Sequence, residues 1–312
     1  MKPLRIGTRG SALALWQANY IRERLAELHG IEAEIIRIRT AGDHMQTASV
    51  AQLNAQVGLK GVFIKELEDA LLTGTIDLAV HSMKDVPTEV PAGLAFPAVT
   101  RREDPRDCLI SRQTRTLQHL PAGARVGTSS LRRQAQIRHA RADLRMADLR
   151  GNVDTRLKKL ASGEFDAIVL AMAGVNRLGL SNQITQVLGT EMMLPAVGQG
   201  ALGIEARAGD RETSALVASL DDAETRACVT SERALLRELE GGCQVPLGAY
   251  ACARNGALVL EARVYSPDGS ECVGGTDSGA PAMGEEIGTR LARNLIEKGA
   301  ARILKLAGRA VG

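Results

Sequence analysis

The sequence predicts two doubly wound α/β domains followed by a small α+β domain, and three observations carry that prediction. Short apolar runs of strand length alternate with amphipathic helical stretches through the first two thirds of the chain. Motifs then recur: Gly7-Thr8-Arg9-Gly10-Ser11 before one helix resembles Gly127-Thr128-Ser129-Ser130 before another, and Leu71-x-x-Gly74-x-x-Asp77 is matched by Leu160-x-x-Gly163-x-x-Asp166. From Asp221 the pattern changes to a long helix, a hairpin and a closing helix. A chain of 312 residues also exceeds what one hydrophobic core supports, since single cores stop growing at roughly 250–300 residues.

Residues 4–7 read as a short strand, with Ser11 as the natural N-cap of a helix starting at Ala12. EAEIIRIR supplies a second strand. Residues 40–61 are polar and without clear periodicity, and such length without structure predicts a mobile lid. A helix over 64–72 and the strand IDLAVHS follow, which puts Met83-Lys84-Asp85 at a strand's carboxyl end. A break at 100–105 opens the second half, which Leu194-Pro195 and the glycine-rich AVGQGALGIEA close. DDAETRACVTSERALLRELE reads as one helix stopped by Gly241-Gly242. ALVLEARVYSPDGSECVGG reads as a hairpin across Pro-Asp-Gly, and one final helix is expected over about 283–306. Short matches recur in any α/β protein, so the repetition alone does not establish a duplication.

Composition excludes several classes of function. No apolar run approaches the roughly 18 residues a bilayer span needs, and the N-terminus has neither a signal core nor a cleavage site, which argues for the cytoplasm. Five cysteines without a CxxC pair suggest free thiols, neither a disulfide framework nor a zinc site, and five scattered histidines offer no metal spacing. A Walker-type loop is absent. Seven aromatic residues are too few for repeated stacking on single-stranded nucleic acid. The charge is concentrated: Arg125 to Lys159 holds ten Lys or Arg against three Asp, in a chain whose net charge is +3. That segment is suited to anions.

The Lys84-Asp85 pair sits where open α/β sheets bind ligands, at the carboxyl end of a buried strand. Asp85 could serve as acid, base or counter-ion, and Lys84 as a carboxylate binder or Schiff-base amine; a solvated ion pair is the plain alternative. Arg132, Arg133, Arg150, Arg156 and Arg177 fall at or near successive strand-to-helix turns, where guanidinium forks bind carboxylates. The helix start at Thr128, Ser129 and Ser130 adds backbone donors, and Arg9 and Ser11 repeat the combination in the first half. The expected ligand is a polyanion lying between two domains. A solvated basic face would account for Arg138, Arg141, Lys158 and Lys159 but less well for arginines at turns. Cys243, in ELEGGCQVPLG, could be a packed thiol, a nucleophile or a tether; packing suits Cys228, Cys108 and Cys272 better.

Five motifs, AVHSMKDVP, GTSSLRRQAQ, LRGNVDTRL, LPAVGQGA and LEGGCQVP, occur together in the order and spacing of the porphobilinogen deaminases, and the chain resembles that family along essentially its whole length. The resemblance implies a transferase of tetrapyrrole and haem biosynthesis. Such an enzyme condenses four porphobilinogen molecules head to tail, with loss of ammonia, onto a covalent dipyrromethane cofactor and releases linear hydroxymethylbilane. It implies a thioether from the cofactor to Cys243, a catalytic role for Asp85, and cofactor or substrate binding by Arg9, Ser11, Lys84, Thr128, Ser129, Ser130, Arg132, Arg133, Arg150, Gly151, Arg156, Arg177 and Gln199. Residues 40–61 match the family's active-site loop, with Lys60 and Phe63 near its end. The implied fold has two periplasmic-binding-protein-like domains, 1–99 with 200–218 and 104–194, and a third domain over 222–312, with the AVGQGALGIEA stretch returning to the first sheet.

The chemistry accounts for the residue types. Each pyrrole carries an acetate and a propionate, so a growing chain accumulates carboxylates that arginines neutralise. Loss of ammonia leaves an electrophilic azafulvene that the free α-carbon of the terminal ring attacks. A fixed carboxylate suits the positive charge on pyrrole nitrogens and the proton transfers. The resemblance also implies no metal, no nucleic acid, no membrane, a monomer in the cytoplasm, and a product passed to uroporphyrinogen-III synthase. Two rivals predict no covalent adduct: a non-catalytic anion-binding module of the same layout, and a basic nucleic-acid binder whose affinity falls steeply with salt.

Overall fold

The computed structural model describes residues 3–38, 64–113, 116–239 and 245–310, with side chains as far as residue 306. The first sheet starts with β1 (Leu4–Thr8), helix α1 (Ala12–His29) and β2 (Ala33–Arg37). Ser11 caps α1 by accepting from the Ala14 N–H at 3.2 Å, and Gly30 ends it at φ 65°. The described chain resumes with α2 (Lys65–Leu72), β3 (Leu78–Ser82), a single 3-10 turn (Met83–Asp85) and β4 (Leu94–Val99). A later strand, β10 (Leu202–Arg207), completes the order β2-β1-β3-β10-β4. β1, β2 and β3 are parallel, and β10 runs antiparallel to both β3 and β4. β3 is covered on both faces, because Leu78 and Val80 join the cluster of Ile21 and Leu25 from α1 while Ala79 joins that of Leu67 and Leu71 from α2.

The second sheet has the same plan. β5 (Asp107–Ser111) is followed by β6 (Arg125–Gly127), α3 (Leu131–Ala140), β7 (Arg145–Ala147), α4 (Val153–Ala161), β8 (Ala167–Ala171), α5 (Met172–Arg177) and β9 (Gln186–Leu188). The order is β7-β6-β8-β5-β9, with β6 parallel to β7 and β8, and β5 antiparallel to β8 and β9. The third sheet is an antiparallel meander of β11 (Leu247–Arg254), β12 (Ala257–Tyr265) and β13 (Cys272–Gly279). Its apolar face packs Leu258, Leu260 and Val264 with Leu291 and Leu295 of α8 (Gly284–Glu297) and Ile303 of α9 (Ala300–Ala310). Helices α6 (Arg211–Ala218) and α7 (Ala223–Glu238) complete the described α-helices. The chain divides into two compact units, one of residues 1–102 and 201–226 and one of 103–200 and 227–312. The fold is two doubly wound α/β sheets with a small C-terminal α+β part.

Two local expectations change. The single closing helix is two helices, broken at Gly299, whose φ of 101° belongs to no L side chain's ordinary range. Cys272 lies in a strand as expected but is exposed, because residue 272 falls on the solvent face of the edge strand β13; Cys108 and Cys228 are buried. Burial, helped by the Asp107 charge, pushes the Cys108 thiol up to about 12, which makes it inert.

Candidate active site

The parallel strands of each sheet aim their carboxyl ends at one edge, and the expected site residues stand on those edges. On the first sheet, Arg9 and Ser11 follow β1 while Lys84 and Asp85 follow β3. The Met83 N–H donates to Ala201 O at 3.0 Å and its side chain is buried, so the turn is pinned while Asp85 at its end is exposed. Gln17 Nε2 of α1 donates to Ser82 Oγ at 2.9 Å, tying the helix that begins at Ser11 to the strand that leads to Asp85. Deeper on the same sheet, His81 of β3 meets Glu205 of β10 at 2.9 Å, both buried, with the Phe96 ring edge-on to the imidazole at 5.9 Å. Burial, and after it the Glu205 charge, pushes the nearby Glu68 carboxyl up.

On the second sheet, the turns after β6 and β7 are stitched together. Ser129 Oγ donates to Leu149 O at 3.1 Å, and its oxygen stands 3.0 Å from the Leu149 N–H that donates to it. The Thr128 N–H donates to Ala147 O at 2.9 Å, and Thr128 Oγ1 accepts from the Ser130 N–H at 3.2 Å. Ser130 occupies the N-cap position of α3 without using its side chain there. Arg150 and Gly151 follow β7. Gly151 at φ 109° turns its carbonyl to accept from Arg156 Nε at 2.7 Å. Arg177 ends α5 rather than following the strand directly, because DAIVLAMAG passes from strand to helix at Met172; its Nη2 donates to Gly200 O at 2.7 Å. Arg150, Arg156 and Arg177 are half-buried at this edge.

Arg132 and Arg133 differ from the open forks expected of them. Both are buried in the first turn of α3, and both point at Asp107, the first residue of β5. Gln199, also buried, donates from Nε2 to Asp107 Oδ1 at 2.9 Å and to Pro105 O at 2.6 Å. Burial opposes the Asp107 charge, but the two guanidiniums outweigh it and hold the carboxyl well below the usual carboxylate range. The preceding turn is held in its own way: Glu232 of α7, fully buried, accepts from the Gly198 N–H at 2.6 Å and from the Ala251 N–H of β11 at 2.9 Å.

Asp107, Glu205 and Glu232 were not singled out in the sequence. The available signal was an acidic residue inside or beside an apolar run (RDCLIS, LGIEA) or on a helix's apolar face. Cys243, Lys60, Phe63 and the 40–61 stretch lie outside the described residues. An open groove of about 840 Å³ beside α1 and β2, lined by Arg22, Glu23, Glu32 and Glu34 among others, holds none of the expected site residues. Among the described residues no helix is long and apolar enough to cross a membrane, and no cluster of three acidic, His or Cys side chains could hold a metal ion.

Comparison with known proteins bears on what these edges serve. The family model described as porphobilinogen deaminase, dipyrromethane cofactor binding domain, matches residues 4–215, and that of the porphobilinogen deaminase C-terminal domain matches residues 226–297. The porphobilinogen deaminase of Trichlorobacter lovleyi is 50% identical over 97% of this chain and 96% of its own, and that of Syntrophotalea carbinolica 49% identical over 96% and 95%. Among solved structures, the periplasmic VFT2 domain of Bordetella pertussis BvgS aligns with 70% of this chain and 86% of its own at TM-score 0.42 and 16% identity. The chain belongs to the porphobilinogen deaminase family, the transferases of tetrapyrrole biosynthesis that carry a dipyrromethane cofactor and make hydroxymethylbilane.

Proposed function

We propose that this chain condenses four porphobilinogen molecules stepwise onto dipyrromethane joined through a thioether to Cys243, with Asp85 as the catalytic carboxylate. The observation that carries the reading is the cationic carboxyl edge of the second sheet, where the β6 and β7 turns are bonded to each other, Arg150 follows β7, Arg156 lies in the first turn of α4 and Arg177 ends α5. The donor set suits acetate and propionate groups: two buried guanidiniums face one carboxylate, and Nε of Arg132, buried, has no partner among the described residues.

When bound, dipyrromethane supplies the free pyrrole carbon from which the chain grows. Thr128, Ser129, Ser130, Arg132, Arg133, Arg150, Gly151, Arg156, Arg177 and Gln199 form or hold the surface for its carboxylates, aided by the positive end of α3. Arg9, Ser11 and Lys84 offer the same chemistry on the first sheet, where Ser11 Oγ keeps its proton to donate because capping uses only its acceptor. Asp85, exposed at the end of a pinned turn, stabilises positive charge on pyrrole nitrogen and carries protons to and from it. The reading also assigns residues 40–61, with Lys60 and Phe63, to the family's active-site loop. The reading includes domains over 1–99 with 200–218, 104–194 and 222–312, a monomer in the cytoplasm, and a product taken up by uroporphyrinogen-III synthase.

The test is the intact mass of the denatured protein beside that of Cys243→Ser. A dipyrromethane increment on the parent that is missing from the variant is expected. An unmodified parent from cells that make porphobilinogen would overturn the tether.

A further inference from the structure

Asp107 stands where it does because of the sheet's topology. β5 runs antiparallel to β8, and its first residue pairs in register with Ala171, the last residue of β8. The amino end of β5 thus lies at the carboxyl edge of the parallel strands, the edge where α3 begins. The fully buried carboxylate accepts from Arg132 Nη1 at 2.7 Å, from Arg133 Nε at 3.1 Å and Nη2 at 2.7 Å, and from Gln199 Nε2 at 2.9 Å. The two arginines are then left in different states. Arg133 has every nitrogen engaged, since Nη1 donates to Val169 O at 3.1 Å. Arg132 uses Nη1 for both Asp107 and Leu194 O, the latter at 2.6 Å, and its buried Nε has no partner among the described residues.

The charges do not balance. Two cations and one anion share a buried site, and a buried charge without a counter-charge is strongly unfavourable. Burial accordingly pulls the Arg132 guanidinium below its ordinary range. One further carboxylate would both neutralise the surplus and find a guanidinium already oriented, with no side-chain freedom left to lose on binding.

We propose that Asp107 is a positioning residue, which locks Arg132 and Arg133 in the first turn of α3 and leaves one buried positive charge for a ligand carboxylate to neutralise. The proposal rests on the reading of the chain as a dipyrromethane carrier, whose pyrroles supply such carboxylates. Asp107→Asn keeps the shape but must present its NH2 to guanidinium donors, so one arginine loses its acceptor and its orientation. Arg133→Met removes the surplus charge and keeps the Asp107–Arg132 pair, whereas Arg133→Lys keeps the charge with a simpler donor.

Each variant is prepared with Cys243 and with Cys243→Ser, and the readouts are the adduct fraction by intact mass and the gap in Tm between the two forms. That gap measures what the bound carboxylates add to stability, apart from any loss common to both forms. Asp107→Asn and Arg133→Met are expected to shrink the gap to about half or less and to lower the adduct fraction, while Arg133→Lys keeps most of it. A gap undiminished in both Asp107→Asn and Arg133→Met, with the Tm of the Cys243 and Cys243→Ser forms lowered alike, assigns Asp107 to folding alone and overturns the proposal. If Asp107→Asn does not fold, the Arg133 pair decides: equal gaps for Lys and Met overturn it. A parent without adduct sinks the functional reading instead, and is visible before any variant is made.

Discussion

The two five-stranded sheets are built with the same joints and carry different charges. In the first, the Asp77 carboxylate accepts from the Arg5 N–H of β1 at 3.0 Å; in the second, Asp166 accepts from the Arg125 N–H of β6 at 2.7 Å. Gly74 and Gly163, three residues upstream of each, both have positive φ. The LxxGxxD repeat is therefore one helix-to-strand joint used twice. Each sheet also inserts an antiparallel strand beside its third parallel one, and each such strand carries a buried acid. Glu205 of β10 faces a single histidine, a group able to give up its charge. Asp107 of β5 faces two arginines, which are not. A shared scaffold sets where the acids stand; their partners decide whether the site keeps a permanent charge. The first edge offers an exposed carboxylate, and the second a fixed excess of cations.

The largest effect should come from the first edge. Asp85→Asn is expected to lower steady-state turnover by about 10²- to 10⁴-fold, the ordinary worth of a proton-transferring carboxylate, and near-normal rates in both Asp85→Asn and Asp85→Glu would remove that residue from the chemistry. The buried acids come next, measured by urea unfolding: Asp107→Ala should cost about 3–5 kcal/mol because two guanidiniums stay buried without a counter-charge. Glu205→Ala should cost less, about 1–3 kcal/mol, since it removes one buried hydrogen bond and leaves no guanidinium behind. Equal losses would dissolve the distinction between the two sheets.

A third pair tests the joints. A Cβ on Gly127 would stand 2.7 Å from the rigid Phe165 ring, whereas one on Gly7 would meet the terminal Cδ1 of Ile76, which can swing away. Gly127→Ala is expected to cost about 1–3 kcal/mol and Gly7→Ala less, read as the shift in denaturation midpoint.

The smallest effect concerns pH. Burial pushes the Asp77 carboxyl up, but hydrogen bonds from Arg5 and Arg207 outweigh it and bring it down to about 2. A folded value below the unfolded one, ordinarily about 3.9, means that the contribution is present in full above that pH. It is lost as pH falls toward 2. The stability difference between parent and Asp77→Asn should therefore be flat at neutral pH and fade below about pH 4. A difference that grows on acidification would reverse the sign assigned to this pair.

Where the candidate residues stand was largely legible because strand ends are legible. IDLAVHS is an apolar run that stops at Met83, so Lys84 and Asp85 had to emerge at a sheet edge, and Ser11 before a helical pattern had to be its cap. The recurrence of glycine and aspartate at matched spacing was visible too, because local backbone needs, a positive φ and an N–H acceptor, act on neighbouring residues. The breaking of the closing helix at Gly299 was missed because a lone glycine in a helical pattern is often tolerated. Cys272 was misread as packed, because alternation along an edge strand does not say which face is covered.

What the sequence determined by itself was the kind of elements, their ends, the concentration of arginine between residues 125 and 159, and the motifs that mark the family. Those depend on contacts within a few residues or on residue type alone. Only the tertiary structure decided which cations are spent. Asp107 is 25 residues from Arg132 and 92 from Gln199, and an antiparallel strand inserted among parallel ones brings it to the first turn of α3. Charge is a property of residues, but the balance of charge in a buried site is a property of neighbours, and neighbours at that separation are assigned by the sheet.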